Sequence, residues 1–352
     1  MTGKNRNLSR NFAGNGGKMV KLFIAGYGNV GKALVEMIAE NHDAIVARTG
    51  KDLRICGLAN SRRYLLDTAG VNPAKLDKGV AGSFLDALAH LSLAGSIVVD
   101  CTASEETGPR YPQLMKAGYS IVACNKIPFA GNLASYTTLV GTAARAHVDL
   151  RYETAVGAAL PILATLERAV VSGDTVISVE AVLSGTLNYL CNRYEGHDFA
   201  ALVEEARQKG YTEPDPSIDL SGRDVLRKTL IMARVAGAQL EEADVSLEPF
   251  PEESVLTTAY AGAIAAGRRL RYVASLRRIN QAGGTARWSA TVGLQSVGPD
   301  SPLYRLTGTD NCAIITSSDY LSPQVIRGAG AGSRQTAGGL LFDILTVQSQ
   351  GA

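Results

Sequence analysis

Short, almost wholly apolar runs alternate along this chain with longer segments whose apolar residues recur at helical spacing. The first run, residues 19–25 (MVKLFIA), has the length and β-branched character of a buried strand. It leads straight into Gly26-Tyr27-Gly28-Asn29-Val30-Gly31, after which Ala33, Leu34, Met37 and Ile38 place residues 32–40 in a helix. The pattern then repeats. Strands are predicted at 53–59, 96–101 and 119–124, with helices at 84–89 and 109–118 between them. Strand, helix, strand in this rhythm predicts α/β structure, a Rossmann-like, doubly wound parallel sheet over residues 19–150. Functional groups of such a sheet gather at the carboxyl ends of its strands, where Thr102 and Lys126 stand.

After residue 150 the rhythm thins. A Gly/Ala turn (TAVGAALP, 154–161) precedes a helix, and 176–183 (VISVEAVL) reads as a strand ending in Ser184-Gly185-Thr186. Further strands are expected at 269–274, 284–292 and 311–316, so 151–327 is expected to be a second, α+β unit. Gly328-Ala329-Gly330-Ala331-Gly332 opens a last helix at 336–345, and residues 328–352 are expected to return to the first domain. Residues 1–18 are polar, Gly/Asn-rich and basic, without an apolar core, and are expected to be a disordered extension.

The densest chemistry lies in residues 210–228, GYTEPDPSIDLSGRDVLRK. Pro214 and Pro216 stiffen an acidic loop. Ser221 and Asp224 have the spacing of a capping box, which predicts a helix over 222–236 with Asp224 and Lys228 on one face. A helical plot puts Arg223, Arg227 and Arg234 on a wet side and Val225, Thr229, Met232 and Ala236 in the core. Asp224 and Lys228 lie between, beside Ile231 and Val235. Apolar neighbours disfavour a charged amine, the condition for proton exchange near neutral pH. Read blandly, the same residues are a surface ion pair contributing about 0.3–0.5 kcal/mol.

Composition narrows the classes. A net charge of +2 with no basic tract excludes a dedicated nucleic-acid binder. No apolar run is long enough to span a bilayer, so no membrane partner is expected. Five cysteines, Cys56, Cys101, Cys124, Cys191 and Cys312, occur singly, which fits a reducing, cytoplasmic location. The four histidines have no metal-ligand spacing, so a zinc site is not expected.

The strand–GYGNVG–helix context is what a dinucleotide pyrophosphate needs: glycines for the tight turn and close backbone approach, at a positive helix N-terminus. Gly26, Gly28, Asn29, Val30 and Gly31 are the candidate cofactor contacts, with Thr102 where a ribose would lie. The strand at 53–59 ends in Asn60-Ser61-Arg62-Arg63. No acid stands there for a ribose 2′-hydroxyl, and Arg62 favours a 2′-phosphate, hence NADP(H) over NAD(H). Thr186 and Lys126, taken alone, read as a helix cap and a solvated strand-end lysine.

Six motifs taken in order resemble homoserine dehydrogenase: GYGNVG, CNK ending at Lys126, YETAVGAALPI from Tyr152, LSGTLNYL from Leu183, the 210–228 stretch, and GAGAGSRQTAGG from Gly328. The resemblance covers nearly everything from Met19 onward. It implies reversible interconversion of L-homoserine and L-aspartate 4-semialdehyde with NADP or NAD, in threonine, methionine and isoleucine biosynthesis. By position it implies that Lys228 exchanges the proton and that Lys126 is a second site lysine near the cofactor. It also makes Glu213 and Asp224 homoserine-contacting acids, Asp219 a supporting acid, Thr186 a substrate-side hydroxyl and Gly332 a cofactor contact. A sodium ion is implied around Glu153, with backbone at Val156, Ala158 and Leu160, and so is a homodimer.

The sequence departs from the family pattern at Ser217-Ile218, at Ala329, and at Ala159, which replaces a usual glycine in the sodium turn. Length leads to the expectation of a single-function form without kinase or regulatory module, and of no threonine feedback through such a module. The rival readings are a related amino-acid dehydrogenase acting on another small substrate and a non-catalytic NADP-binding sensor.

Overall fold

Residues 18–25 form β1 (Lys18–Ala25), whose side chains from Leu22 onward are fully or nearly fully buried. A strand covered on both faces must be apolar throughout, which is why this run shows no alternation. The computed structural model describes residues 17–280 and 286–348. Most of the expected N-terminal extension therefore lies outside the described residues, although Lys18 is already in the strand.

The chain divides into two compact units. The first holds the described residues up to Pro128, Ala134–Thr154 and the segment from Gly332; the second holds Phe129–Leu133 and Ala155–Ala331. Besides β1, the first unit contains β2 (Lys51–Ala59), β3 (Tyr64–Leu66), β4 (Ile97–Asp100), β5 (Ser120–Ala123) and β6 (Leu150–Arg151). Their order is β3-β2-β1-β4-β5-β6, parallel except for β3, which pairs antiparallel with β2. The Rossmann-like parallel sheet is present, and the short edge strand β3 is an addition that three residues of sequence did not announce. Strand order reverses between β1 and β4, the switch point at which such sheets bind ligands.

The helix after the glycine turn is longer than its first apolar stripe suggests, running Asn29–Thr49 to Gly50 in the left-handed region (φ 66°). Its polar stretch Asn41-His42-Asp43 reads as a stop in sequence, yet the core face resumes at Ile45. Leu34 and Ile38 from this helix, Leu22 and Ile24 from β1, and Leu340 and Ile344 from the helix Ser333–Thr346 share one core cluster. Each such side chain contributes about 1.5–3 kcal/mol on burial. The Lys51 ammonium donates to the carbonyls of Leu345 (2.7 Å) and Val347 (2.8 Å), closing the carboxyl end of that last helix.

The second unit is built on β7 (Val176–Val182), β8 (Val245–Leu247), β9 (Arg269–Asn280), β10 (Ala286–Val297), β11 (Asp310–Ser317) and β12 (Gln324–Ala329). The order is β12-β11-β7-β9-β10-β8, with every neighbouring pair antiparallel except β10 and β8. Residues 284 and 285 of the strand expected at 284–292 lie outside the described residues; Ala286 onward is in β10. Gly328 and Ala329, read in sequence as the start of a glycine turn, are the last residues of β12. No helix among the described residues is long and apolar enough to cross a membrane.

Candidate functional site

In the first unit, β1 delivers the chain to Gly26 (φ 94°), and the backbone N–H groups of Gly26 and Tyr27 donate to the Ala59 carbonyl at 2.9 and 2.8 Å. The turn is thereby fixed to the end of β2 before the helix starts at Asn29. A Cβ on Gly31 would stand 2.3 Å from the Gly26 carbonyl oxygen, so only glycine lets the helix start this close to the strand. A Cβ on Gly28 would meet no atom within 4 Å. Gly28 thus faces open space at a helix N-terminus, the arrangement that suits a pyrophosphate.

β4 ends at Asp100, which is 1% exposed. Its carboxylate accepts from the Thr102 N–H (2.7 Å), the Thr107 hydroxyl (2.6 Å), the Tyr111 hydroxyl (2.6 Å) and the Asn125 amide (3.2 Å). Asn125 also donates to the Ser104 carbonyl (2.9 Å) and accepts from the Ile127 N–H (3.1 Å), so Lys126 sits between two anchored residues. Burial, reinforced by the Asp100 carboxylate, pushes the Tyr111 phenol well up, keeping it a donor. Sequence reading named Thr102 and Lys126 but missed Asp100 and Asn125, which hold them. The signal was there: one acid ends an otherwise apolar strand, SIVVDC.

The Asn60 side chain accepts from the N–H groups of Arg62 (2.9 Å) and Arg63 (2.8 Å), shaping the turn after β2. Arg63 donates to the Gly79 carbonyl (2.8 Å), whereas the Arg62 side chain is exposed.

In the second unit, the helix Arg223–Val235 carries Lys228. Its start differs from expectation. The N-cap is Gly222 in the left-handed region (φ 71°), with no side-chain cap, and Ser221 instead ends a short helix, Pro216–Leu220, its hydroxyl donating to the Ile218 carbonyl (2.6 Å). The capping box does not form, because Gly222 turns the chain through the left-handed region and the helix starts one residue later, leaving the Ser221 hydroxyl to accept from the Arg223 N–H (3.3 Å); a Cβ at position 222 would lie 2.1 Å from the Tyr272 hydroxyl. Arg234 is not on a wet face either. Its side chain is fully buried and donates to the carbonyls of Phe129 (2.7 Å) and Leu240 (3.0 Å), which fastens the short segment Phe129–Leu133 to this unit.

Lys228 is 8% exposed. Its ammonium lies 2.8 Å from the Asp224 carboxylate and donates to the Leu183 carbonyl at 2.6 Å. Asp224 is 46% exposed, so the pair has one buried and one accessible member and is not the exposed surface pair of the bland reading. Leu183 follows β7, and Ser184 caps the helix Gly185–Arg193 by accepting from the Leu187 N–H (3.2 Å). Capping thus falls to Ser184. The Thr186 hydroxyl instead donates to the Tyr211 carbonyl and to Asp219 (3.3 Å).

Asp219 accepts from the Glu213 N–H as well (2.8 Å), which ties the acidic loop to the start of the Thr186 helix. Burial raises the Asp219 pKa, with Asp224 adding to the rise, while the Glu213 N–H, Thr186 and Lys228 pull it down. Glu213 itself is exposed. Within this unit, then, Thr186, Asp219 and the Glu213 N–H are joined by hydrogen bonds, Asp224 and Lys228 by an ion pair, and the two sets act on each other electrostatically at Asp219.

Glu153 lies in the short turn Glu153–Ala155, its N–H donating to Asp343 (3.2 Å), and belongs to the first unit. Val156, Ala158 and Leu160 belong to the second. The residue there that bears left-handed strain is Ala158 (φ 54°), after Gly157 (φ 78°), and not Ala159. Carboxylate and backbone carbonyl oxygens suit a hard cation by donor type, although the Leu160 carbonyl already accepts from the Ile162 N–H at 2.8 Å. Gly332 (φ 118°) precedes the helix Ser333–Thr346.

Residues 26–153 match the family model of the homoserine dehydrogenase NAD-binding domain, and residues 161–345 match that of homoserine dehydrogenase. A bifunctional aspartokinase/homoserine dehydrogenase of Zea mays is 33% identical over 93% of this chain, which spans 38% of that longer protein. A solved Candida auris protein of unknown function is 28% identical, with a TM-score of 0.81 over 92% of this chain and 97% of its own. A hyperthermophilic archaeal homoserine dehydrogenase solved with NADPH shares the fold, at 23% identity and a TM-score of 0.74 over 93% and 97% of the two chains. The chain belongs to the homoserine dehydrogenase family.

Proposed function

We propose that this protein interconverts L-homoserine and L-aspartate 4-semialdehyde, drawing on NADP(H) in preference to NAD(H). The observation that carries the reading is the buried Lys228 ammonium, held at 2.6 Å by the Leu183 carbonyl and at 2.8 Å by an accessible acid, Asp224. A bound nicotinamide supplies the hydride exchange. The chain supplies the rest. The open space over Gly28 and the N–H groups opening the Asn29–Thr49 helix receive the pyrophosphate. Arg62, exposed beside an Asx turn, receives a 2′-phosphate.

Homoserine presents an ammonium, a carboxylate and a hydroxymethyl group. Glu213 and Asp224 bind the ammonium through charge-assisted hydrogen bonds, and Thr186 and Asp219 hold the loop that carries Glu213. In the reductive direction a Lys228 N–H donates to the aldehyde oxygen as it becomes a hydroxyl. In the oxidative direction the amine takes that proton back. Lys126 is assigned a second, cofactor-side role at the end of β5, and Thr102 and Gly332 contact the cofactor. A sodium ion at Glu153, Val156, Ala158 and Leu160 belongs to the same proposal. So do a cytoplasmic location and a homodimer, the latter supported by the exposed apolar Ile177 (41%) and Val325 (49%) on the second sheet.

Steady-state reduction of L-aspartate 4-semialdehyde with NADPH and NADH side by side tests the reading. Turnover with both and a lower KM for NADPH is expected. A folded protein inert with either cofactor ends the proposal, and equal KM values end the Arg62 assignment alone.

A further inference from the structure

Two cysteines that the proposed chemistry does not use lie side by side beneath the nucleotide turn. Asp100 and Ala123 are register partners at the ends of β4 and β5, and the Cys124 N–H continues the ladder by donating to the Asp100 carbonyl at 3.0 Å. Cys101 and Cys124 are therefore the next cross-strand pair, on strands that run about 4.8 Å apart. That spacing lies inside the roughly 4.4–6.8 Å between Cα atoms that a disulfide spans. Both thiols are free, each keeps some solvent exposure, and the two side chains are close enough to perturb each other's ionisation.

This contact lowers the Cys124 pKa, against burial and Asp100 and with help from Lys126, and it raises that of Cys101. Thiolate character thus gathers on Cys124. Above the pair, a Cβ at Gly26 would lie 2.8 Å from the Cys101 carbonyl carbon, and one at Gly31 would lie 3.8 Å from the Cys101 Cβ. Cys101 is the floor of the glycine turn. Cys124 directly precedes Asn125 and Lys126.

We propose that Cys101 and Cys124 form an oxidative modification site, a thiol pair that a peroxide converts to a disulfide, and that this linkage weakens dinucleotide binding at the turn above it. The Cys124 thiolate attacks a peroxide oxygen, the O–O bond breaks, and the leaving hydroxide takes up the proton that Cys124 had released, giving a sulfenic acid and water. The Cys101 thiol then attacks that sulfur, the S–S bond forms, and a second water carries away the oxygen and the remaining proton. Two thiols and one hydrogen peroxide give one disulfide and two waters. Closing the bond draws Cys101 toward Cys124 and moves the floor on which Gly26 and Gly31 rest. By linkage, a bound dinucleotide must oppose the oxidation by the same factor.

The second half of this proposal rests on the dinucleotide reading above. The test treats the full chain with hydrogen peroxide, with and without NADPH, and follows it by peptide mass mapping and NADPH titration. Expected are a linked Cys101–Cys124 peptide pair lacking two hydrogens and reversed by dithiothreitol, slower linkage with NADPH present, and about tenfold weaker NADPH binding once linked. Cys124→Ser should neither link nor lose NADPH affinity on treatment; Cys101→Ala serves if that variant does not fold. Peroxide-treated protein with both thiols unlinked overturns the site, and linked protein that binds NADPH as tightly as the reduced form overturns its consequence. Reduced protein that never binds NADPH overturns the dinucleotide reading and that consequence with it, while mass mapping still decides whether the pair links.

Discussion

Each unit secures the carboxyl end of one strand with a single buried ionisable side chain, and the two do so with opposite chemistry. At the end of β4 the hub is an acceptor. Asp100 collects four donors from residues 102, 107, 111 and 125, and so folds the following loop around one carboxylate. At the end of β7 the hub is a donor. Lys228 reaches the Leu183 carbonyl from a helix 45 residues further along the chain, and shares its ammonium with the half-exposed Asp224. The carboxylate, among the described residues, is bonded to partners of its own unit, in the loop after β4 and at Asn125 after β5, and holds geometry. The ammonium has an accessible neighbour, the placement that the proposed proton exchange requires. A buried charge with all its valence spent inward serves structure, and one with a partner facing outward is available for chemistry.

Substitution at the two hubs should separate these roles. Lys228→Met keeps the length of the side chain and removes the amine; turnover should fall by about 10²–10⁴-fold in steady-state assays while thermal melting changes little. A variant with near-wild-type turnover would break the comparison. Asp100→Ala should do the opposite. With the Thr107 and Tyr111 hydroxyls, the Asn125 amide and the Thr102 N–H all left without their acceptor, the loss is about 3 kcal/mol or more of stability, read by urea unfolding.

Alkaline titration compares the units more finely. Burial pushes Cys191 to about 12 and Cys312 to about 11 in the second unit, and Cys56 to about 11 in the first, from an ordinary 9.0. The unfolded chain loses these protons first, so this stability is complete below pH 9.0 and lost as pH rises through the folded values. Melting temperature should fall steadily above pH 9.0, and Cys191→Ala should flatten the steepest part of that fall. The smallest effect belongs to the cap: Ser184→Ala should cost about 1 kcal/mol, with turnover lowered only as far as the Leu183 carbonyl shifts from Lys228.

Much of this was legible in the sequence because the first unit's central strands, β1, β4 and β5, are largely buried on both faces and so write themselves as apolar runs. The glycine turn was equally plain, since each glycine answers a specific need for space. Within the second unit, residues 210–228 named Asp224 and Lys228 correctly as neighbours on a helix. The same plot misjudged Arg234, because helical periodicity assigns a charged side chain to solvent and knows nothing of the Phe129 and Leu240 carbonyls that wait for it. It also placed the helix start on a capping box. The Tyr272 hydroxyl, which excludes any side chain at position 222, comes from β9, fifty residues later in sequence.

The sequence by itself determined where β1, β2, β4, β5, β7, β9, β10 and β11 run, where the nucleotide turn lies and which residues carry acid, amine and hydroxyl, because those depend on local period and residue type. Tertiary structure alone decided which charges are buried, that Ser184 rather than Thr186 caps its helix, and that Asp100 and Lys228 are the hubs. Hydrogen-bond satisfaction at a strand end is settled by whichever group the fold brings within about 3 Å, and that distance is not written in any one stretch of the chain.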